Sequence, residues 1–197
     1  MTKLEGTKTL ENLMKAFAGE SQARNRYTYY ASVAKKEGYN QIEAIFLETA
    51  ENEKEHAKLF FKHLVNYLGA CEAIPVEITA TYPVALGDIR QNLLSAAAGE
   101  HEEWSDLYVN FADVAQQEGF ADVAATFHLI KEVEKRHETR YLKLAANIAD
   151  CKVFQKDQPT LWKCLNCGYV YEGAAAPEQC PACKHPTAYF ELFCENY

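Results

Sequence analysis

A chain of 197 residues, 48% of them apolar, is long enough for one helical domain of ordinary size plus a small appendage, and that apolar share argues against wholesale disorder. A formal charge of −8 without a Lys/Arg cluster excludes a nucleic-acid partner, and no apolar run approaches the length of a membrane span. The opening MTKLEGTKTLENLMK is charged throughout and lacks the apolar stretch of a secretory signal, which predicts a cytoplasmic protein whose seven cysteines act mostly as thiolate ligands rather than in disulfides.

Residues 10–36 read as a helix, with Leu10, Leu13, Phe17, Tyr27 and Tyr30 near 3.6-residue spacing and no proline. EGYN at 37–40 is a turn with Gly38 as its C-cap. A second helix spans 41–68, with Ile42, Ile45, Phe46, Leu59 and Leu64 among its apolar positions, and stops at Gly69. The stretch 70–87 has two prolines and no helical period, so it is a long connection. A third helix follows over about 88–117, EGF at 118–120 repeats the earlier turn, and a fourth helix covers 121–149. Two helical hairpins joined by one long crossover define an all-α, ferritin-like four-helix bundle. Its helices are about 40 Å long at 1.5 Å per residue.

The two hairpins are copies. KKEGYNQIEAIF at 35–46 aligns with QQEGFADVAATF at 116–127, offset by 81. Glu-x-x-His occurs only as Glu53/His56 and Glu134/His137, again 81 apart. Residues at i and i+3 share a helix face, so each pair can address one metal centre. The other two helices supply Glu20 and Glu100, each following a mid-helix glycine, Gly19 or Gly99. Glycine there costs about 1 kcal/mol relative to alanine, which predicts a packing or access requirement beside the glutamates. One glutamate from each of two helices plus Glu-x-x-His from the other two is the inward-facing ligand set of di-iron or di-manganese carboxylate bundles. Its oxygen-rich donors suit Fe, Mn or Co.

GESQARNRY at 19–27 and GEHEEWSDLY at 99–108 differ by one residue. The offset is 80 at Glu100 and 81 at Tyr108, so the third helix gains a residue between them. In regular α-helix Glu20 and Tyr27 lie about 20° apart around the axis, but Glu100 and Tyr108 about 80° apart. Absorbing the extra residue as a π-bulge restores the shared face, and such bulges gather at functional sites. It also offers Glu103 as a further ligand candidate, with a plain surface charge as the alternative. Tyr27 and Tyr108, at matched positions, are candidate hydrogen-bond donors to a bound oxygen species, or simply buried tyrosines with satisfied hydroxyls.

Residues 150–160 read as a linker closed by Pro159, and 161–197 as a second, small irregular or β domain. Its CLNC and CPAC knuckles, Cys164/Cys167 and Cys180/Cys183, are separated by twelve residues. That spacing marks a tetrahedral four-thiolate site but leaves structural zinc and a single redox iron both open. Cys71, Cys151 and Cys194 stand outside the pattern, and His63, His101, His128 and His185 read as ordinary surface or core residues.

AGESQARNRY, ENEKEHAK, AAGEHEE and EVEKRHE resemble the bundle of the rubrerythrin family, and WKCLNCGYVYEG, APEQCPACKHP and YFEL resemble its rubredoxin-like C-terminal domain. The resemblance spans essentially the whole chain. It implies three irons per chain, a diiron pair and one four-thiolate iron, with zinc or manganese as substitutes. By it, Glu53 and Glu134 bridge the pair, Glu20 and Glu100 are terminal, and His56 and His137 supply nitrogen. Glu103 exchanges with His56 on oxidation, and Tyr27 and Tyr108 orient bound solvent or peroxide. It further implies an NADH peroxidase that reduces hydrogen peroxide in an anaerobe. Electrons would come from an external donor, rubredoxin or an NAD(P)H-dependent reductase, in a homo-oligomer of two or more chains. A ferritin-like ferroxidase, an O₂-reducing oxidase and a zinc-binding interaction module are the rival readings.

Overall fold

The computed structural model describes residues 3–196. Helices α1 (Lys8–Lys36) and α2 (Asn40–Leu68) form the first hairpin. α3 (Ile89–Glu102), a π-helical turn (Glu103–Leu107) and α4 (Tyr108–Gln117) form one continuous rod that pairs with α5 (Ala121–Ala149) as the second. The expected crossover contains no helix or strand between Leu68 and Ile89. The hairpin turns are tight because Gly38 and Gly119 take left-handed φ of 83° and 87°. That conformation lets the N–H of Tyr39 reach Ala34 O and that of Phe120 reach Ala115 O.

The duplication extends to the helix starts. Thr7 caps α1 through the N–H of Leu10, and Asp88 caps α3 through that of Gln91 in a full capping box. Each hairpin turn then serves the other hairpin. Glu37 receives the N–H of Ile89 at 3.3 Å. Its copy Glu118 receives the N–H of Lys8 and Thr9 at 3.0 and 2.8 Å and the Thr9 hydroxyl at 2.6 Å. Burial opposes ionisation of Glu118, but these hydrogen bonds prevail and its pKa is lowered. Glu118→Ala is expected to destabilise the fold by about 1 kcal/mol, read from the denaturant midpoint. The stabilisation is fully present above the carboxyl's unfolded-state pKa and fades as pH falls through the lower folded value, so the difference between parent and variant narrows in acid.

The bundle interior has three layers. One apolar cluster joins Tyr27, Tyr30, Phe46, Leu93 and Tyr141, and another joins Leu13, Phe60, Tyr108, Phe120 and Phe127. Each helix runs from one cluster to the other, and at the crossing it carries Glu20, Glu53/His56, Glu100 or Glu134/His137, all buried. A polar layer is thus clamped between two greasy ones.

The C-terminal unit is a three-stranded antiparallel sheet in the order β2-β1-β3, with β1 Gln155–Cys164, β2 Val170–Ala175 and β3 Phe190–Leu192. The reading of 150–160 as linker is corrected at its C-terminal half: β1 already pairs at Gln155 with Ala175. Pro159 sits where the register breaks between Gln155 and Thr160, and β3 pairs only with 162–164, so its missing N–H removes no ladder bond. Trp162 is fully buried beneath the cysteines and donates to Gly173 O. The unit rests on the first hairpin turn, where Tyr39 stacks on Phe154 with centroids 5.8 Å apart.

Candidate functional site

Glu20, Glu53, His56 and Glu134 converge so that one ligand atom from each lies within 4.8 Å of the others, and Glu53, Glu100, Glu134 and His137 do the same. Glu53 and Glu134 belong to both groups. The two halves mirror each other: His56 Nδ1 lies 2.9 Å from both Glu53 Oε2 and Glu134 Oε1, and 3.9 Å from Glu20 Oε2. His137 Nδ1 lies 3.2 Å from Glu53 Oε1, 2.9 Å from Glu134 Oε2 and 3.6 Å from Glu100 Oε2.

The protein's own groups do not satisfy this layer. Glu20 Oε2, Glu53 Oε1, Glu100 Oε2, both Glu134 oxygens and His137 Nδ1 are buried without a hydrogen-bond partner, the close contacts of His137 being misaligned for one. Glu20 and Glu134 have no exposed surface, and even His56 keeps only 8%. Orphaned buried acceptors of this kind are rare, and charged ones are strongly unfavourable. Burial, then repulsion from Glu134, Glu103 and Glu53, pushes the Glu20 carboxyl well above the usual range. Burial and then the Glu53 charge push Glu100 up. For both histidines burial lowers the pKa, but the surrounding carboxylates override it and raise it. A volume that draws positive charge this strongly, lined by hard oxygens and one imidazole nitrogen on each side, fits two divalent metal ions.

The tyrosines cross between the halves. Tyr27 on α1 donates to Glu100 Oε1 on α3, and Tyr108 on α4 donates to Glu20 Oε1 on α1, each at 2.5 Å. Burial, then carboxylate charge, raises both phenols well above 10, so both remain donors that hold a glutamate oxygen in place.

The extra residue of the third helix is absorbed as the spacing predicts. The N–H of Tyr108 donates to Glu103 O, five residues back. Trp104 Nε1 donates to Glu138 of α5 at 2.5 Å, and His101 Nδ1 meets the same carboxylate at 3.0 Å, so α5 grips the wide turn from outside. Glu103 belongs to neither group of converging ligand atoms. Its carboxylate stands to one side, against Gly19, where a Cβ would lie 3.9 Å from Oε1. Burial, then Glu100, Glu134 and Glu53, raises its pKa well above the ordinary value. At Gly99 a Cβ would meet Arg26 Nη2 at 3.6 Å. Both glycines therefore have room for a methyl group, so close packing alone does not explain them.

The four cysteines also converge, with Cys164 and Cys183 Sγ 3.7 Å apart, Cys167 and Cys180 Sγ 3.7 Å apart, and all four within 4.8 Å. These separations exceed the ~2.05 Å of a disulfide and suit a tetrahedral thiolate site. Cys71, Cys151 and Cys194 are exposed free thiols. The residues that sequence reading missed are Arg26 and Tyr82. Arg26 Nη1 is buried without a partner, and Tyr82 reaches back from the crossover to donate to Lys15 O at 3.0 Å.

A bundle with paired, shared carboxylate ligands and a sheet with two Cys-x-x-Cys knuckles define a diiron-carboxylate protein carrying a rubredoxin-like site. The sequence matches the Rubrerythrin family over residues 11–145 and its rubredoxin-like domain over residues 162–191. It is 61% identical to Rubrerythrin-1 of Clostridium acetobutylicum over 197 residues, covering 100% of both chains. It is 48% identical to rubrerythrin of Nitratidesulfovibrio vulgaris over 198 residues, again with full coverage of both. Nigerythrin in a mixed-valence state superposes with a TM-score of 0.63 at 32% identity, over 98% of this chain and 92% of that one. A Desulfovibrio desulfuricans bacterioferritin shares the fold, with a TM-score of 0.65 at 23% identity over 74% and 82% of the chains. The chain belongs to the rubrerythrin family, a family of oxidoreductases. No helix among the described residues is long and apolar enough to cross a membrane.

Proposed function

We propose that the protein is a cytoplasmic peroxidase that reduces hydrogen peroxide to water, H₂O₂ + 2e⁻ + 2H⁺ → 2H₂O, as an oxidative-stress defence. The observation that carries this reading is the presence in one chain of a two-metal carboxylate layer and a four-thiolate site. When bound, the iron pair supplies two electrons at once for O–O cleavage, and the four-thiolate iron passes electrons singly from an external donor. We assign Glu53 and Glu134 as the shared ligands, Glu20 and Glu100 as terminal ones, and His56 and His137 as the nitrogen donors. Tyr27 and Tyr108 fix the terminal carboxylates. With the metals bound, Glu103 would be the ligand alternative to His56 and would hand protons inward. The division into a bundle over 1–149 and a separate four-thiolate unit, with β1 beginning at Gln155, follows the same assignment.

The C-terminal unit rests at the Asn40 end of α2, and Glu53 lies about 20 Å further along the helix at 1.5 Å per residue. A distance of that order favours electron transfer between chains, with the four-thiolate site of one copy beside the carboxylate layer of another, as a homo-oligomer of two or more chains provides.

Single-turnover stopped-flow tests the reading. Anaerobically reduced, iron-loaded protein is mixed with one equivalent of H₂O₂ or, in parallel, with dissolved O₂, and the visible absorption of the thiolate iron is followed. The expected result is reoxidation much faster with peroxide than with O₂. A thiolate iron that stays reduced while the bundle oxidises sinks the relay and favours a ferroxidase; equal or faster reaction with O₂ favours an oxidase.

A further inference from the structure

A cavity of ≈ 240 Å³ opens between α1, the π-turn and residues 79–83 of the crossover, with Gly19, Gly99, Arg26, Tyr82, Glu103 and Tyr108 in its walls. Tyr108 stands between it and the metal layer, lining the cavity and donating to Glu20. It is smaller than the ~300–1,000 Å³ of sites for drug-sized ligands, a size suited to a molecule of a few heavy atoms. Arg26 brings a guanidinium to the wall, with its Nη1 buried and without a protein partner. The ring of Tyr82 covers Gly19: a Cβ there would lie 3.6 Å from Tyr82 Cε1 and 3.9 Å from Glu103 Oε1. The Tyr82 hydroxyl latches this segment to Lys15 O on α1.

We propose that this cavity is the vestibule through which a small hydroperoxide reaches the metal layer, and that Tyr82 and Gly19 set its size limit. The inference rests on the peroxidase reading and extends it to a substrate class, ROOH with R no larger than a small alkyl group. The balanced reaction is ROOH + 2e⁻ + 2H⁺ → ROH + H₂O, with electrons from the same external donor. A methyl group at Gly19 makes ordinary contacts, but a longer side chain has only the vestibule to fill. Removing the Tyr82 ring widens the vestibule instead. The mid-helix glycine is thereby explained as an access requirement rather than a close approach of backbones.

The test uses iron-loaded, full-length protein and two readouts: the association rate of azide, followed by the absorption change of the diiron site, and kcat/KM for H₂O₂ and for tert-butyl hydroperoxide. Gly19→Leu should slow azide association and peroxide reduction together by about tenfold or more, whereas Gly19→Ala stays close to the parent. Tyr82→Ala should raise the rate with tert-butyl hydroperoxide relative to H₂O₂ by about tenfold. Unchanged azide association in Gly19→Leu, or an unchanged ratio in Tyr82→Ala, overturns the proposal. If Gly19→Leu fails to fold, Tyr82→Ala decides alone. A parent protein that binds azide with the predicted sensitivity to Gly19→Leu but reduces neither hydroperoxide upholds the vestibule and overturns the peroxidase reading.

Discussion

Glu134→Gln is expected to lose the metal pair while leaving the four-thiolate site loaded, and to make the metal-free protein less stable. Both Glu134 oxygens are buried without a hydrogen-bond partner, yet the residue belongs to both groups of converging ligand atoms. In the metal-free fold its carboxylate faces both imidazoles at 2.9 Å and helps raise them, while it also adds to the repulsion that raises Glu20. The amide keeps the buried polar atoms but removes a counter-charge of the imidazoles, which costs on the order of 1–3 kcal/mol. Loss of a shared first ligand should weaken metal binding by more than the ~10–100-fold typical of outer-shell changes. Iron content measured with and without added Fe²⁺, together with thermal melts of both forms, checks the two halves. The parent melt should rise with metal by mass action, and the variant melt should not. A metal-free variant more stable than the parent would show that relief of carboxylate repulsion outweighs the lost attraction to the histidines.

Much of this site was legible because its determinants are local or repeated. Glu-x-x-His and Cys-x-x-Cys place donors on one helix face or one knuckle whatever the rest of the chain does, and the 81-residue offset set Glu53/His56 against Glu134/His137. The π-turn was legible for an arithmetical reason: an offset that changes from 80 to 81 between Glu100 and Tyr108 must be absorbed somewhere in the helix. The exchange of caps between hairpins was not legible, because Glu118 meets Lys8 and Thr9 across 110 and 109 residues and neither partner has a distinctive type. Tyr82 was hidden for a similar reason. It lies in a segment without periodicity, and only the folded crossover brings it over Gly19. The start of β1 was obscured by Pro159, which ordinarily argues against a strand and is accommodated here by a break in register.

Glu103→Ala is expected to slow the reaction of the reduced protein with hydrogen peroxide by about 10²–10⁴-fold, the range for loss of a positioned acid or base. The thiolate iron and its reduction by the external donor should be unaffected. The carboxylate is set apart from the converging ligand atoms but forms a wall of the cavity beside them, the position needed to carry protons from the vestibule to the departing oxygens. The wide turn that begins at Glu103 is held through Trp104 and Glu138 and by the N–H of Tyr108, and none of these contacts involves the Glu103 side chain. Substitution should therefore leave the π-turn, the Tyr108–Glu20 hydrogen bond and the six principal ligands in place. Two measurements separate this outcome from a structural one: iron content, expected at the parent value, and the rescue by Glu103→Asp, expected to recover part of the rate because a shorter carboxyl can still relay through one water. Parent-like turnover in Glu103→Ala would remove this residue from the chemistry and leave the π-turn with a single task, that of returning Tyr108 to the face shared with Glu100.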